Sequence, residues 1–282
     1  MLLLGNILFI LIIEQNKNIL KRMSSQKFPK LLKLKDYITL TGTILGVIAL
    51  ICASIGTRYF ISFGFFLVTL TLGTDLLDGY VARKTGTVNK IGIELDSLSD
   101  ALTFGIAPAV LTFQAFKTGT AYDIFLIIGC VYLSLGGILR LARYNITTEE
   151  TPGYVGVPIP ISALLLIIFF YTNYFYAFAY GGLDHPFPDI SYFIIPFILI
   201  LFGWFNITTF ITFGKKGKNI YVLFYILASI TIIIGILWFL SPTFSVLLII
   251  SYILLGSFLT FMIYLIRGFF SHKKKPSIEK TD

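Results

Sequence analysis

The sequence predicts an all-α polytopic membrane protein, and three observations carry that expectation. The chain is 56% hydrophobic and 13% charged, with a mean hydropathy of +0.87, whereas a soluble domain carries about 25% charged residues. Apolar runs recur at 37–55, 60–82, 98–115, 121–142, 158–178, 190–212, 219–240 and 243–266, each close to the roughly 20 residues that cross a bilayer as a helix. The basic residues also segregate. With the segment before the first run placed in the cytoplasm, 20 of the 22 Lys and Arg lie on that side and only Arg58 and Lys117 lie on the other, as expected for eight spans with both termini cytoplasmic. The short alternating strands of a transmembrane barrel are absent from the sequence pattern.

The elements follow in chain order. Residues 1–13, "MLLLGNILFILII", are apolar but too few to span, and they lack both a basic region in front and a small-residue cleavage site behind, so they do not read as a signal peptide. Met23 precedes a basic amphipathic stretch, "SSQKFPKLLKLKDY"; translation is expected to begin there, leaving 1–24 as an N-terminal extension. Cys52 and Cys130 fall within predicted spans and read as small buried hydrophobes, without spacing for a disulfide or a metal pair. Pro158 and Pro160 set the start of the fifth span. Asn145 opens a sequon, "NIT", in a loop predicted to be cytoplasmic, where glycosylation does not occur. Residues 269–282 are polar and basic and are expected to form a disordered tail. The net charge of +8 is accounted for by a basic cytoplasmic face against anionic headgroups and calls for no nucleic-acid partner.

Against this background the stretch 75–100, "DLLDGYVARKTGTVNKIGIELDSLSD", stands out. Asp75 and Asp78 are three apart at the end of the second span, and Asp96 and Asp100 are four apart at the expected start of the third, so each pair shares a helical face. The connection between them is short and carries Gly86 and Gly92, so the two helices are antiparallel neighbours and the four carboxylates converge. Like charges at that range repel unless a cation neutralises them. An all-carboxylate set suits magnesium or manganese, and the absence of His or Cys nearby argues against zinc. A blander reading, helix-dipole stabilisation of Asp96 and Asp100 at a helix N-terminus, covers one pair at most. Gly79 and Ala82 follow Asp75 and Asp78 by one turn, which leaves the acidic face without bulk, and Arg83 offers a planar fork to phosphate oxygens. Metal, arginine and small residues together point to a diphosphate ligand.

The spacing Asp75, Asp78, Gly79, Ala82, Arg83, Gly92, Asp96, Asp100 resembles the signature of the CDP-alcohol phosphotransferase family. The resemblance implies a core of six membrane helices over residues 25–213, with 214–268 as two additional helices, and an enzyme that joins a CDP-linked lipid to an alcohol with release of CMP. Three further stretches, "LDSLSDALTFGIAPAVL", "GILRLARYN" and "GYVGVPIPISALLL", are similar to the phosphatidylserine synthase branch, which implies CDP-diacylglycerol and L-serine as substrates. In the first span, "DYITLTGTILG" places Gly42 where many members have asparagine. The resemblance also implies a homodimer in the cell membrane with a cytoplasmic active site.

Attack of the serine hydroxyl on the phosphate nearer the lipid builds charge on the diphosphate and expels CMP, so cations must offset charge on both the attacked and the leaving group. Two metals, Mg2+ or Mn2+, held by Asp75, Asp78, Asp96 and Asp100, would do so. The resemblance assigns the general base to Asp100 and the CDP-diacylglycerol contacts to Gly79, Ala82 and Arg83. Arg140 and Arg143 share a face at the end of the fourth span; they are either positive-inside anchors or the fork that binds the serine carboxylate. His185 and His272 read as surface residues. Three rival functions are a sister enzyme using glycerol 3-phosphate, an inositol phosphate or another alcohol, which differs only in the acceptor pocket, an ion-coupled transporter, which predicts broken helices or a half-repeat, and a purely structural membrane protein, which would not need the motif. The aspartate pattern occurs once in the sequence.

Overall fold

A computed structural model describes residues 32–86, 90–146, 154–210, 212–213 and 244–272. Helix α1 spans Leu34–Ile55. It begins where Asp36 reaches back to accept from the Lys33 N–H at 2.7 Å, satisfying one of the donors a helix start leaves open. It ends at Gly56, whose left-handed φ of 76° lets its N–H close on the Cys52 carbonyl. Helix α2 spans Arg58–Thr85; the Thr57 hydroxyl accepts from the Phe60 N–H at its start, and Gly86 stops it. Helix α3, Lys90–Asp100, passes through a π-helical stretch, Ala101–Ile106, into α4, Ala107–Phe116. Then come α5, Asp123–Ile146; β1, Tyr154–Val155; α6, Ile159–Gly181; α7, Asp189–Ile207; β2, Thr212–Phe213; and α8, Phe244–His272.

Seven helical segments among the described residues are long and apolar enough to cross a membrane. They correspond to every expected span but 219–240, which lies outside the described residues, as do Met23, the 1–24 extension and the tail beyond His272. The third span departs from expectation at its start. Hydropathy alone begins it at 98, but the helix is already continuous from Lys90, because three charged residues, Lys90, Glu94 and Asp96, lower the hydropathy without interrupting a helix. Asp96 and Asp100 therefore lie within a helix rather than at its N-terminus, and the helix-dipole reading of that pair falls. The described residues also contain one two-residue antiparallel ladder, Tyr154 with Phe213 and Val155 with Thr212.

The bundle closes through small residues, as membrane helices do when dispersion and hydrogen bonding replace a hydrophobic drive. Helix α1 packs along α2 and against α4 and the π-helical stretch. A Cβ at Gly42 would stand 2.6 Å from Thr74 Oγ1, and one at Gly46 would stand 2.5 Å from Thr103 Cγ2, so larger residues there would wedge α1 off the bundle. Helices α5 and α7 meet through Gly136 and Gly203, where a Cβ on Gly136 would lie 2.5 Å from the Gly203 carbonyl oxygen. Helix α6 forms the centre: its residues from Ile161 to Phe175 are buried. Phe170 stacks on Phe65 of α2 at 4.3 Å. Helix α8 covers its outer side, with Phe258 5.4 Å from Phe169 and the Ser251 hydroxyl donating to the Thr172 carbonyl at 2.7 Å.

Candidate active site

At one end of this bundle, the end of α2, the first turns of α3, the starts of α1 and α6 and the end of α5 surround a cavity of about 550 Å3. Asp75, Gly79, Ala82 and Arg83 line it from α2, Gly92, Asp96 and Asp100 from α3, and Arg140 from α5. Asp78 sits beneath, 7% exposed, in a void of about 10 Å3 that it shares with Asp75, Asp96, Asp100 and the hydroxyl residues Thr39, Thr71, Thr74, Ser99 and Thr103.

Carboxylate oxygens of Asp75, Asp78 and Asp96 all lie within 4.8 Å of one another. Asp100, one turn beyond Asp96, is outside that trio but faces both the cavity and the void below it. Among the described residues no Lys or Arg comes within ion-pairing distance of any of the four. Carboxylates so crowded repel one another, and a cation among them would offset that repulsion. An oxygen-only set at this spacing fits a hard divalent ion, magnesium or manganese.

The α2 wall matches the spacing argument in detail. Gly79 lies under the Arg83 guanidinium: a Cβ there would sit 3.4 Å from Arg83 Nη1, so the glycine leaves a flat shelf beside an exposed fork of donors. Thr39 of α1 donates to Asp78 Oδ2 at 2.7 Å and thereby fixes the deepest carboxylate. The π-helical stretch starts at Ala101, immediately after Asp100; such wide turns recur at functional sites, where they re-aim a side chain.

The two arginines of α5 part company. Arg140 is 9% exposed and lines the cavity. Arg143 is not among the residues lining it; its Nη1 donates to the Ile207 carbonyl at 2.8 Å, where it ties α5 to the end of α7. Close by, Gly156 (φ 78°) passes so near α7 that a Cβ would lie 2.5 Å from the Asn206 carbonyl oxygen, and Val157 N–H donates to the Phe205 carbonyl at 2.9 Å. This strap delivers Pro158 and Pro160 to the cavity wall. His185 stands at the opposite end of α2, where its carbonyl accepts from Arg58.

Several residues that the sequence alone did not single out belong to the site. Lys35 and Ser97 line the cavity, and Ser97 pairs across α3 and α5 at 3.0 Å with Asn145, which the sequence marked only as a sequon. Thr39 could have been found from the sequence: it follows Lys35 by one turn on the α1 face that also carries Gly42 and Gly46.

Comparison with known proteins gives the family. The family model for CDP-alcohol phosphatidyltransferase matches residues 32–205, more than half of the chain. The chain is 34% identical over 227 residues to a CDP-diacylglycerol–serine O-phosphatidyltransferase of Methanocaldococcus jannaschii, covering 80% of this chain and 94% of that protein. It is 32% identical to the archaetidylserine synthase of Methanothermobacter thermautotrophicus over 54% of this chain and 64% of that one. A CDP-diacylglycerol–serine O-phosphatidyltransferase of Helicobacter pylori is 35% identical over 54% of this chain and 63% of its own length. The chain thus spans nearly the whole of the first relative and somewhat under two thirds of the other two. The chain belongs to the CDP-alcohol phosphatidyltransferase family.

Proposed function

We propose that the protein transfers the phosphatidyl group of CDP-diacylglycerol to the hydroxyl of L-serine, giving phosphatidylserine and CMP. The observation that carries this reading is the cavity lined by Asp75, Asp96, Asp100, Arg83 and Arg140, with Asp78 just beneath it and close to Asp75 and Asp96. The names of the relatives support serine as acceptor. They do not favour the rival functions, since these three relatives are named for serine transfer or archaetidylserine synthesis.

Arg83, over the Gly79 shelf, binds phosphate oxygens of the nucleotide, and Ala82 leaves room for its approach. Arg140, planar and buried, binds the serine carboxylate, which orients the serine side chain towards the acids of α3. Asp100 accepts the hydroxyl proton as the serine oxygen forms its bond to the lipid-side phosphorus and the bond from that phosphorus to the oxygen of CMP breaks. Divalent cations held by Asp75, Asp78, Asp96 and Asp100 would supply the positive charge that the diphosphate needs at both ends of the exchange. With the aspartates serving as ligands and base, no obvious covalent nucleophile remains in the motif, and the reading is direct displacement.

The distribution of basic residues supports a cytoplasmic active site in the cell membrane, and the family resemblance supports a homodimer and a core over 25–213 followed by additional helices. The test is CMP release by the purified full chain given CDP-diacylglycerol, Mg2+ or Mn2+ and a panel of alcohols. Serine should support release, glycerol 3-phosphate and inositol phosphate should not, and EDTA should abolish the activity until metal is restored. Faster release with another alcohol overturns the acceptor assignment, and full activity after exhaustive chelation overturns the metal site. Exchange of labelled CMP into CDP-diacylglycerol without serine would contradict direct displacement.

A further inference from the structure

Two lysines open α1, two residues apart, with opposite fates. Lys33 is exposed, as an interfacial lysine is when its ammonium snorkels to the headgroups. Lys35 is 7% exposed and turned inward, its Nζ 3.1 Å from Asp36 Oδ1. Asp36 itself is completely buried. Burying an ammonium and a carboxylate together is costly, and such a pair is weak evidence for added stability. Asp36 could cap α1 without a lysine, through the bond from the Lys33 N–H that it already accepts. Lys35 nevertheless sits at the wall of the cavity, where it shares the lining with Asp75, Asp96 and Arg83.

The surroundings specify which ligand the ammonium meets. One turn on from Lys35, Thr39 holds Asp78 at 2.7 Å, so the start of α1 is keyed to the metal-binding acids and the Gly79 shelf of α2. Arg140 enters the cavity from α5 instead. A compact ammonium with three rotatable donors suits phosphoryl oxygens, whereas a carboxylate is better matched by the planar fork of an arginine.

We propose that Lys35, held in place by Asp36, is a binding residue for the diphosphate of the CDP-linked substrate, donating to a phosphoryl oxygen from the α1 side while Arg83 does so from α2. This rests on the reading of the cavity as a CDP-diacylglycerol site. It adds α1 to the elements that grip the nucleotide lipid.

The test uses the full chain with Mg2+ and compares wild type with Lys35→Met and Lys35→Arg. Loss of one charge-assisted contact predicts a rise of about 10- to 150-fold in the KM for CDP-diacylglycerol. The concentration of CMP needed for product inhibition should rise in parallel, the KM for serine should not move, and Lys35→Arg should recover part of the loss. A structural role predicts instead a lower melting temperature with both substrates affected alike, and that result, or unchanged CMP inhibition, overturns the proposal. If Lys35→Met leaves Asp36 so poorly compensated that the protein does not fold, Lys35→Met with Asp36→Asn removes both charges and carries the same comparison. Wild-type protein that releases no CMP with any alcohol defeats the functional reading; an active wild type with an indistinguishable Lys35→Met variant defeats this inference alone.

Discussion

Two regions of this bundle hold polar groups away from water, and they treat them in opposite ways. Along α6, in the centre of the protein, buried polar side chains are tied to neighbours: Ser162 donates to Asn206 Oδ1 at 2.6 Å, Tyr171 to the Ser62 carbonyl at 2.9 Å, and Asn173 to the Phe169 carbonyl at 2.8 Å, while Ser191 of α7 donates to Asn173 Oδ1 at 2.5 Å; Asn206 Nδ2 is the exception, buried without a partner among the described residues. At the meeting of α2 and α3, four carboxylates receive a single side-chain hydrogen bond among the described residues, from Thr39 to Asp78. In an apolar surrounding, a matched polar group is adhesive between helices, while an unmatched acidic cluster is costly and is retained for a ligand. Substitutions should therefore sort by region. Opening the matched set should lower stability and spare the chemistry, and disarming the unmatched set should do the reverse.

The largest expected effect comes from Asp100→Asn. The change keeps the shape of the side chain while removing the proposed base and a negative charge beside the close trio of Asp75, Asp78 and Asp96. General-base catalysis alone contributes about 10²- to 10⁴-fold, so turnover should fall at least that far in a CMP-release assay. The melting temperature should hold or rise, because one carboxylate fewer repels its neighbours. A near wild-type rate would put the base elsewhere, and a collapsed melting temperature would show that the acids belong with the matched groups of α6 after all.

Much of this division could be read before any coordinates, and the exceptions have physical causes. The acids, Gly79 and Arg83 were legible because helical spacing alone puts them on shared faces, and a short glycine-bearing connection leaves their helices little choice but to be neighbours. The start of α3 was misplaced because hydropathy reports what a lipid tolerates, whereas the helix needs only backbone hydrogen bonds and continues through Glu94, Asp96 and Asp100. Lys35 was hidden among the basic residues of the cytoplasmic side, since burial depends on which way the first turn of α1 faces, and no composition rule distinguishes it from Lys33. The fates of Arg140 and Arg143 were undetermined for a related reason. Three residues apart on one helix, they are equivalent until α7 arrives, and only then does one find the Ile207 carbonyl and the other the cavity.

That pair supplies the second test. Arg140→Ala should reduce kcat/KM for serine by about 10- to 150-fold, the equivalent of one charge-assisted contact of roughly 1.5 to 3 kcal/mol, and leave the KM for CDP-diacylglycerol nearly unchanged. Lysine at 140 should rescue poorly, since it lacks the planar fork. Discrimination against ethanolamine, which lacks the carboxylate, should weaken in the same variant. Arg143→Ala should show the opposite pattern: a lower melting temperature, from loss of the tie between α5 and α7, with ethanolamine discrimination intact. Loss of serine selectivity in Arg143→Ala with none in Arg140→Ala would reverse the assignment.

The smallest expected effect probes the matched region itself. Ser191→Ala removes the donor to Asn173 Oδ1 and leaves that buried acceptor without it. In water-excluded protein such a loss would be expected to be severe, yet hydrogen bonds between membrane helices average only about 0.6 kcal/mol, because the separated helices also find partners. The Asn173 side chain keeps its own donation to the Phe169 carbonyl on the same helix, which further limits the loss. The variant should therefore unfold only slightly more readily than wild type in a denaturant titration, with KM for both substrates and the metal requirement unaltered. A loss of several kcal/mol would mean that this one hydrogen bond supports much more of the α6–α7 contact than itself. A change in serine kinetics would mean that the centre of the bundle and the acid cluster are coupled, so that matched and unmatched polar groups do not act independently.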